Sequence, residues 1–447
     1  MLISFSVRNF RTFRERAEWS LIASPDKTRE EENVVAVPGF GLRLLKSAVV
    51  YGANASGKSK LVEALIYIRG LVQESSKSGQ VGEPTQIEPF RLNPASAQAP
   101  SEFEVQFVHQ NVLYRYGFEV SATRIEAEWL FMRAAKGVRT KPEVELFYRT
   151  GQDISFNSRL FGGIVNELVK VAAVRENALL LSVAAQFNQP RATSILNWFT
   201  QLIILSTFNE AWEGALTFML LRFPDSKQDI LNLLASADLA IDDLQESEQS
   251  QFPFPSNENE RPDETAKRLH KWTSQEYADV KTLHQTYTNA REPAEQVQFS
   301  MLIDESIGTQ KLLALAGPVV SVISMGSILV VDELDARLHP NLVSKIVHLF
   351  NSKTTNPNNA QLLFNTHDTN LLASGNFRRD QIWFTEKNRY GEASLYSLAD
   401  FKTDQVRKDD NFEANYVRGK YGAVPYLGDF NALPTATPEA AAHENAG

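Results

Sequence analysis

The chain has 447 residues, 43% of them hydrophobic and 22% charged, the make-up of a folded protein long enough to bury a substantial core over about two to four domains. It contains no cysteine, which excludes disulfides, thiol catalysis and cysteine-ligated zinc or iron–sulfur centres. Its 45 Lys and Arg against 54 Asp and Glu give a formal net charge of −9, which excludes a wholly basic nucleic-acid coat but not a local basic stripe.

At the N-terminus Leu2, Phe5 and Val7 alternate with polar neighbours, which predicts short antiparallel strands. The same residues lack a basic stretch followed by an apolar run, so no signal peptide is expected and the expected compartment is the cytoplasm. Residues 44–51 read as one buried strand, followed by a glycine-rich turn and a helix over 59–71. Ser, Gly, Pro and Gln accumulate between 75 and 100, marking a connection. Aromatic and β-branched residues at period two over 103–108, 113–120, 129–132 and 144–149 predict a meander sheet. From 160 to 244 the apolar spacing turns helical, as at Ile195, Phe199, Leu202 and Ile203. Residues 245–264 are acidic and polar with scattered prolines, the pattern of a loose loop.

Residues 312–331 are nearly charge-free and long enough to span a bilayer. Gly317-Pro318 in the middle and Asp332-Glu333 at the end argue instead for a helix, a turn and a buried parallel strand, with no membrane partner. Strand-like runs at 328–331, 361–364, 381–384 and 394–398, with a helix over 340–350, predict a parallel sheet. Residues 431–447 read as a disordered tail.

Gly52-Ala53-Asn54-Ala55-Ser56-Gly57-Lys58-Ser59 matches the phosphate-binding pattern G-x-x-x-x-G-K-[ST] in full. Gly52 and Gly57 let backbone N–H groups curl round a phosphate, with nucleotide contacts expected along Asn54, Ala55 and Ser56 and on to Lys60. Lys58 would reach the β- and γ-phosphates, and the Ser59 hydroxyl would hold Mg²⁺. Downstream, the apolar run Ile328-Leu329-Val330-Val331 ends in Asp332 and Glu333. In a P-loop fold the first acid orients Mg²⁺ and the second polarises the attacking water; a surface-capping acid pair has the same local pattern.

His367, just past the next apolar strand, falls at the edge where parallel sheets bind ligands, within reach of a γ-phosphate. Ser306 is an expected N-cap, and with Gly308 it opens a helix whose N–H groups can meet an anion. One full set of γ-phosphate contacts is already present, so this second donor cluster points to a site shared between two subunits.

Together these pieces resemble the ABC-type ATPase superfamily shared by SMC, RecF and OLD proteins, in which the P-loop of one head faces the signature motif of another across ATP. The resemblance places the signature at Ser306 and Gly308, with Ile307 and Thr309 where the commonest signature has Gly and Gln. It makes Asp335 the D-loop acid and His367 the switch histidine, and Gln86 falls where the Q-loop glutamine usually lies. The implied fold class is α/β, a P-loop NTPase head of ABC type with an antiparallel β lobe and a helical insertion. Its expected divisions are 1–158 (P-loop and meander lobe), 159–299 (helical insertion with the acidic loop), 300–430 (signature, acid pair, D-loop and switch) and the 431–447 tail.

Four further stretches are similar to the compact ATPases of bacterial phage-defence and abortive-infection operons, such as RloA-like proteins and the AriA ATPases of PARIS systems. They are Phe5-Ser6-Val7-Arg8-Asn9-Phe10-Arg11, Tyr114-Arg115-Tyr116-Gly117-Phe118, Asn177-Ala178-Leu179-Leu180-Leu181-Ser182 and Tyr416-Val417-Arg418-Gly419-Lys420-Tyr421-Gly422-Ala423-Val424-Pro425. The resemblance implies hydrolysis of ATP with Mg²⁺ by a head-to-head dimer or larger homo-oligomer. It further implies a sensor or scaffold for a separate effector, such as a TOPRIM-type nuclease, with DNA or a phage-encoded molecule as trigger. The alternative is a RecF- or SMC-like DNA-binding ATPase of DNA repair or maintenance, which shares the site; no sustained heptads between 160 and 300 favour it.

Overall fold

The computed structural model describes residues 1–78, 80–135, 142–206, 210–237, 239–245, 280–402, 406 and 410–425. The acidic loop expected over 245–264 lies outside them from residue 246 onward, as does the whole 431–447 tail.

Two sheets carry the fold. A seven-stranded antiparallel sheet runs in the order Asp153–Phe156, Val144–Thr150, Ile125–Ala134, Val112–Val120, Ser101–His109, Leu2–Arg8, Ala17–Ser20. A six-stranded sheet runs Leu202–Leu205, Ile328–Val331, Gln361–Asn365, Ser47–Gly52, Ile382–Lys387, Ala393–Ser397. It is parallel throughout except for its last pair.

The Lys58–Glu74 helix lies between the sheets: Leu61, Leu65, Ile68 and Val72 share one buried core with Ala48 and Val50 and with Phe103, Tyr116 and Phe118. The period of two sends Val49 and Tyr51 to the opposite face. There they join Leu312, Leu315 and Val319 of the Ile307–Met325 helix and Val343 and Val347 of the Pro340–Asn351 helix. Strands covered on both faces read as unbroken apolar runs.

A buried carboxylate joins two of the family-like stretches. Glu128 accepts from the Tyr116 hydroxyl at 3.0 Å and from the N–H groups of Leu180 and Leu181 at 2.6 and 3.0 Å. It thereby satisfies orphan donors at the start of the Leu180–Gln186 helix. Ser182 Oγ in turn accepts from Ser76 N at 3.2 Å, tying this helix to the end of the P-loop helix.

Three expectations are corrected. The single strand over 44–51 is two, Leu42–Leu45 and Ser47–Gly52, because the chain leaves a hairpin and enters the core at Lys46. Buried Lys46 donates to Asn351 O at 3.2 Å. Leu202 and Ile203 belong to a strand, not a helix: Leu202–Leu205 pairs in parallel with Ile328–Val331. A four-residue apolar run fits either period, and the free edge of the parallel sheet decides it.

The expected break at Gly317-Pro318 does not occur, and the turn between helix and buried strand lies at Gly326. One helix, Ile307–Met325, runs through Gly317-Pro318 and ends at Gly326 in the left-handed region, φ 65°. Pro318 removes the donor for Ala314 O, and Thr217 Oγ1 from a crossing helix takes that place at 3.0 Å. This helix is the one among the described residues long and apolar enough to cross a membrane, and more than half of its apolar window is buried inside the fold.

Candidate functional site

The carboxyl ends of Ser47–Gly52, Ile328–Val331 and Gln361–Asn365 lie side by side, so the P-loop, the acid pair and His367 meet at one sheet edge. Positive φ at Ala55 (60°) and Gly57 (120°) curls the P-loop before its helix. A Cβ on Gly52 would lie 2.5 Å from both Ser56 Oγ and Thr385 O, and one on Gly57 would lie 3.1 Å from Thr12 Oγ1. Ser56 Oγ also meets Thr385 Oγ1 at 2.6 Å. Thr12 and Thr385, which belong to no motif in the sequence, therefore wall the loop.

Lys58 is 6% exposed, and its ammonium donates to Gly52 O at 2.8 Å and Ala53 O at 3.2 Å. Burial lowers its pKa to about 8, against the raising effect of Glu333, Asp332 and Asp335. Asn54 and Ala55 are exposed and Ser59 is half-buried. Lys60 pairs with Glu63 along the helix at 2.6 Å.

Asp332 is 3% exposed. Asn365, at the end of the neighbouring strand, donates from Nδ2 to Asp332 Oδ1, while its Oδ1 accepts from Glu333 N at 2.9 Å. Glu333 takes φ 56°, a left-handed turn that swings the chain out of the strand. Asn365 was not singled out in the sequence; a lone Asn after an apolar run carries no pattern.

The His367 backbone N–H donates to Asp335 Oδ2 at 3.2 Å, and Tyr51 donates its hydroxyl to Asp368 O at 3.0 Å. The His367 side chain is exposed, yet partial loss of water and then the Lys58 charge lower its pKa, so the ring is neutral at pH 7.

Ser306 caps the Ile307–Met325 helix, Oγ accepting from Thr309 N at 3.1 Å. A Cβ on Gly308 would lie 3.1 Å from Arg337 O, so this helix start closes on the turn that follows the acids. Ser306 itself is exposed, and so are Leu302 (39%), Ile303 (85%) and Ile307 (58%) beside it. Gln86 is exposed on the segment after the P-loop helix, at φ 57°.

The donor set suits a magnesium nucleotide. Asn365 takes one oxygen of Asp332 and leaves Oδ2 with no protein donor among the described residues. Asp335 Oδ1 is likewise buried without a partner. No group of three or more His, Asp or Glu among the described residues could hold a metal unaided.

A family model described as "AAA domain, putative AbiEii toxin, Type IV TA system" matches residues 47–373. The chain belongs to this family of AAA-domain P-loop ATPases. The matched AAA domain begins with the strand that feeds the P-loop and includes Lys58, both acids, Asn365 and His367. No curated protein matches. Among solved structures, the SMC head domain from Thermotoga maritima is similar at 9% identity and a TM-score of 0.38, covering 89% of this chain and 98% of that one. An SMC head bound to the C-winged helix domain of ScpA is similar at 12% identity and a TM-score of 0.37, covering 89% of this chain and 97% of its own.

Proposed function

We propose that this AAA-domain ATPase binds Mg²⁺ and ATP at the sheet edge, closes on a second copy of itself and hydrolyses ATP to ADP and phosphate. The observation that carries this reading is the division of the candidate site between two separate surfaces. Lys58, Asp332, Glu333 and His367 gather at the strand ends, whereas the Ser306 helix start faces solvent amid Leu302, Ile303 and Ile307. Exposed apolar side chains around a solvent-facing helix start are what an interface with a second ligand-bearing surface would cover.

Lys58 and the P-loop amides would hold the β- and γ-phosphates. Ser59 and Asp332 would hold Mg²⁺, which when bound neutralises phosphate charge. Glu333 takes the proton of the attacking water as its oxygen bonds to the γ-phosphorus and the bond to the bridging oxygen breaks, releasing ADP. The neutral His367 ring donates one N–H toward a γ-phosphate oxygen, and Ser306 and Gly308 of the partner copy close the other side. Binding favours the closed pair only through the higher affinity of that state for ATP.

The cycle would serve a bacterial anti-phage system, the closed assembly sensing or scaffolding for a separate effector such as a TOPRIM-type nuclease. The abortive-infection-like motifs and the matched family support that role.

The test of the core reading is light scattering of Glu333→Gln with ATP. A long-lived dimer or larger assembly is expected, and an unchanged monomer overturns it. For the effector, a pull-down from the native cell with ATP, controlled by Lys58→Ala, should bring down a nuclease. Retention of duplex DNA with a steep salt dependence instead would favour the DNA-maintenance reading.

A further inference from the structure

The stretch from Tyr416 to Pro425 has no part in the chemistry above, yet it folds onto the site. A short helix, Phe412–Val417, is capped by Asn411 and brings Tyr416 to the base of the P-loop. The Tyr416 ring, 7% exposed, lies 5.6 Å from Tyr51 and stacks on Phe384 at 5.4 Å. Its hydroxyl donates to Ala423 O at 3.2 Å, closing the segment on itself. Burial pushes the phenol up to about 12, and the ring packs under Tyr51, the residue that leads directly into Gly52.

A second grip lies one turn earlier. Glu413 Oε1 accepts from Thr369 Oγ1 at 3.2 Å, two residues beyond His367. The return of the segment is docked on the sheet edge, where Tyr396 donates to Tyr421 O at 2.8 Å. Gly422, at φ 71°, is so close that a Cβ would lie 2.7 Å from Tyr396 Oη and Glu386 Oε2.

We propose that residues 411–425 form a strap that positions the nucleotide site from behind, with Tyr416 the positioning residue for the P-loop and Glu413 for the switch loop. This rests on the ATP reading of the sheet edge. The two grips act on different parts of the reaction: the P-loop governs phosphate binding, and the switch loop carries the His367 contact made as the γ-phosphate transfers.

The experiment uses the full chain with Tyr416→Phe, Glu413→Ala and Glu413→Gln, and measures fluorescent-ATP affinity, steady-state ATPase and melting temperature. Tyr416→Phe keeps the ring but loses the bond to Ala423 O that closes the segment beneath Tyr51, so nucleotide binding weakens about 3- to 10-fold with kcat and melting temperature retained. Glu413→Ala lowers kcat by about the same factor at unchanged affinity, and Glu413→Gln, whose amide oxygen still accepts from Thr369, restores it. A wild-type chain that binds ATP beside variants that match it overturns the strap alone. So does a joint loss of affinity, kcat and melting temperature in both variants, the mark of mere packing. A wild-type chain that binds no nucleotide overturns the ATP reading and the strap with it.

Discussion

Asn365 donates its side-chain N–H to the buried carboxylate of Asp332, and with its carbonyl oxygen it accepts the backbone N–H of Glu333 at 2.9 Å. One amide thus sets the position of the proposed metal-holding acid and of the proposed general base together. Asn365→Ala removes both bonds at a residue only 1% exposed. ATP turnover is expected to fall by about 10- to 100-fold, on the order of one to two charge-assisted hydrogen bonds. Asn365→Asp, which sets a second carboxylate against Asp332, should lower it further. Steady-state phosphate release decides it, with melting curves to show that both variants fold; an Asn365→Ala enzyme at wild-type speed removes the clamp from the mechanism.

Lys58 gives a pH dependence of definite sign. Its pKa of about 8 lies below the ordinary lysine value of 10.5 because burial disfavours the charged form. Phosphate needs the ammonium, so affinity falls as the free protein loses that proton above pH 8. Roughly a tenth of the side chains remain charged at pH 9, so binding there should be about tenfold weaker than at pH 7. Stability runs the other way: a lowered lysine pKa makes the charged form a liability in the fold, fully present below pH 8 and relieved as pH rises toward 10.5. Nucleotide titrations and melting curves at pH 7 and 9 read both effects, and Lys58→Met should flatten the lysine's share of each. Equal affinity of the wild-type protein at the two pH values contradicts the assignment.

What could be read in advance was local. The P-loop is legible because its backbone geometry demands Gly52 and Gly57 at fixed spacing, and the strands beside it because burial on two faces leaves an unbroken apolar run. Asn365 has meaning only once its strand lies in register with the one bearing Asp332, with Val331 opposite Phe364. Tyr416 lies 365 residues after the Tyr51 it packs on, and Glu128 caps a helix 52 residues downstream. Such partners are chosen by the finished fold, and a single sequence carries no pattern for them. The same holds for Leu202 and Ile203, whose strand identity comes from the neighbouring Ile328–Val331.

The Glu128 knot predicts a stability effect. Glu128 and Arg149 are both fully buried, 3.8 Å apart, and Arg149 also donates to the carbonyls of Gly151, Ala178 and Arg175. Burial raises the Glu128 pKa and lowers that of Arg149, so each charge is costly without the other. Glu128→Ala strands the guanidinium and frees the Leu180 and Leu181 donors, which should cost about 3–5 kcal/mol. Adding Arg149→Leu should recover part of that loss, since an apolar pair replaces a lone charge. Denaturant unfolding of the four proteins in the cycle measures it. Simple additivity of the two single losses would mean the pair is not coupled.

The unbroken helix through Pro318 rests on a single hydroxyl. Thr217 Oγ1 accepts from Gly317 N at 3.0 Å and faces Leu313 O at 2.9 Å and Ala314 O at 3.0 Å. It is therefore inserted into the helical ladder where proline has removed a donor. Gly317 permits the approach, because a Cβ there would lie 2.4 Å from Thr217 Cα, a backbone atom that cannot step aside. Thr217→Val keeps the shape and loses the hydroxyl, leaving a buried N–H and a buried C=O unpaired at a cost of about 2–4 kcal/mol. Thr217→Ser keeps the hydroxyl and loses one methyl, about 1 kcal/mol. Gly317→Ala forces the two helices apart and should cost more than the serine variant. Urea unfolding ranks the three. A valine variant as stable as the serine variant would show that Ala314 O finds another donor and that the helix passes Pro318 without help from its neighbour.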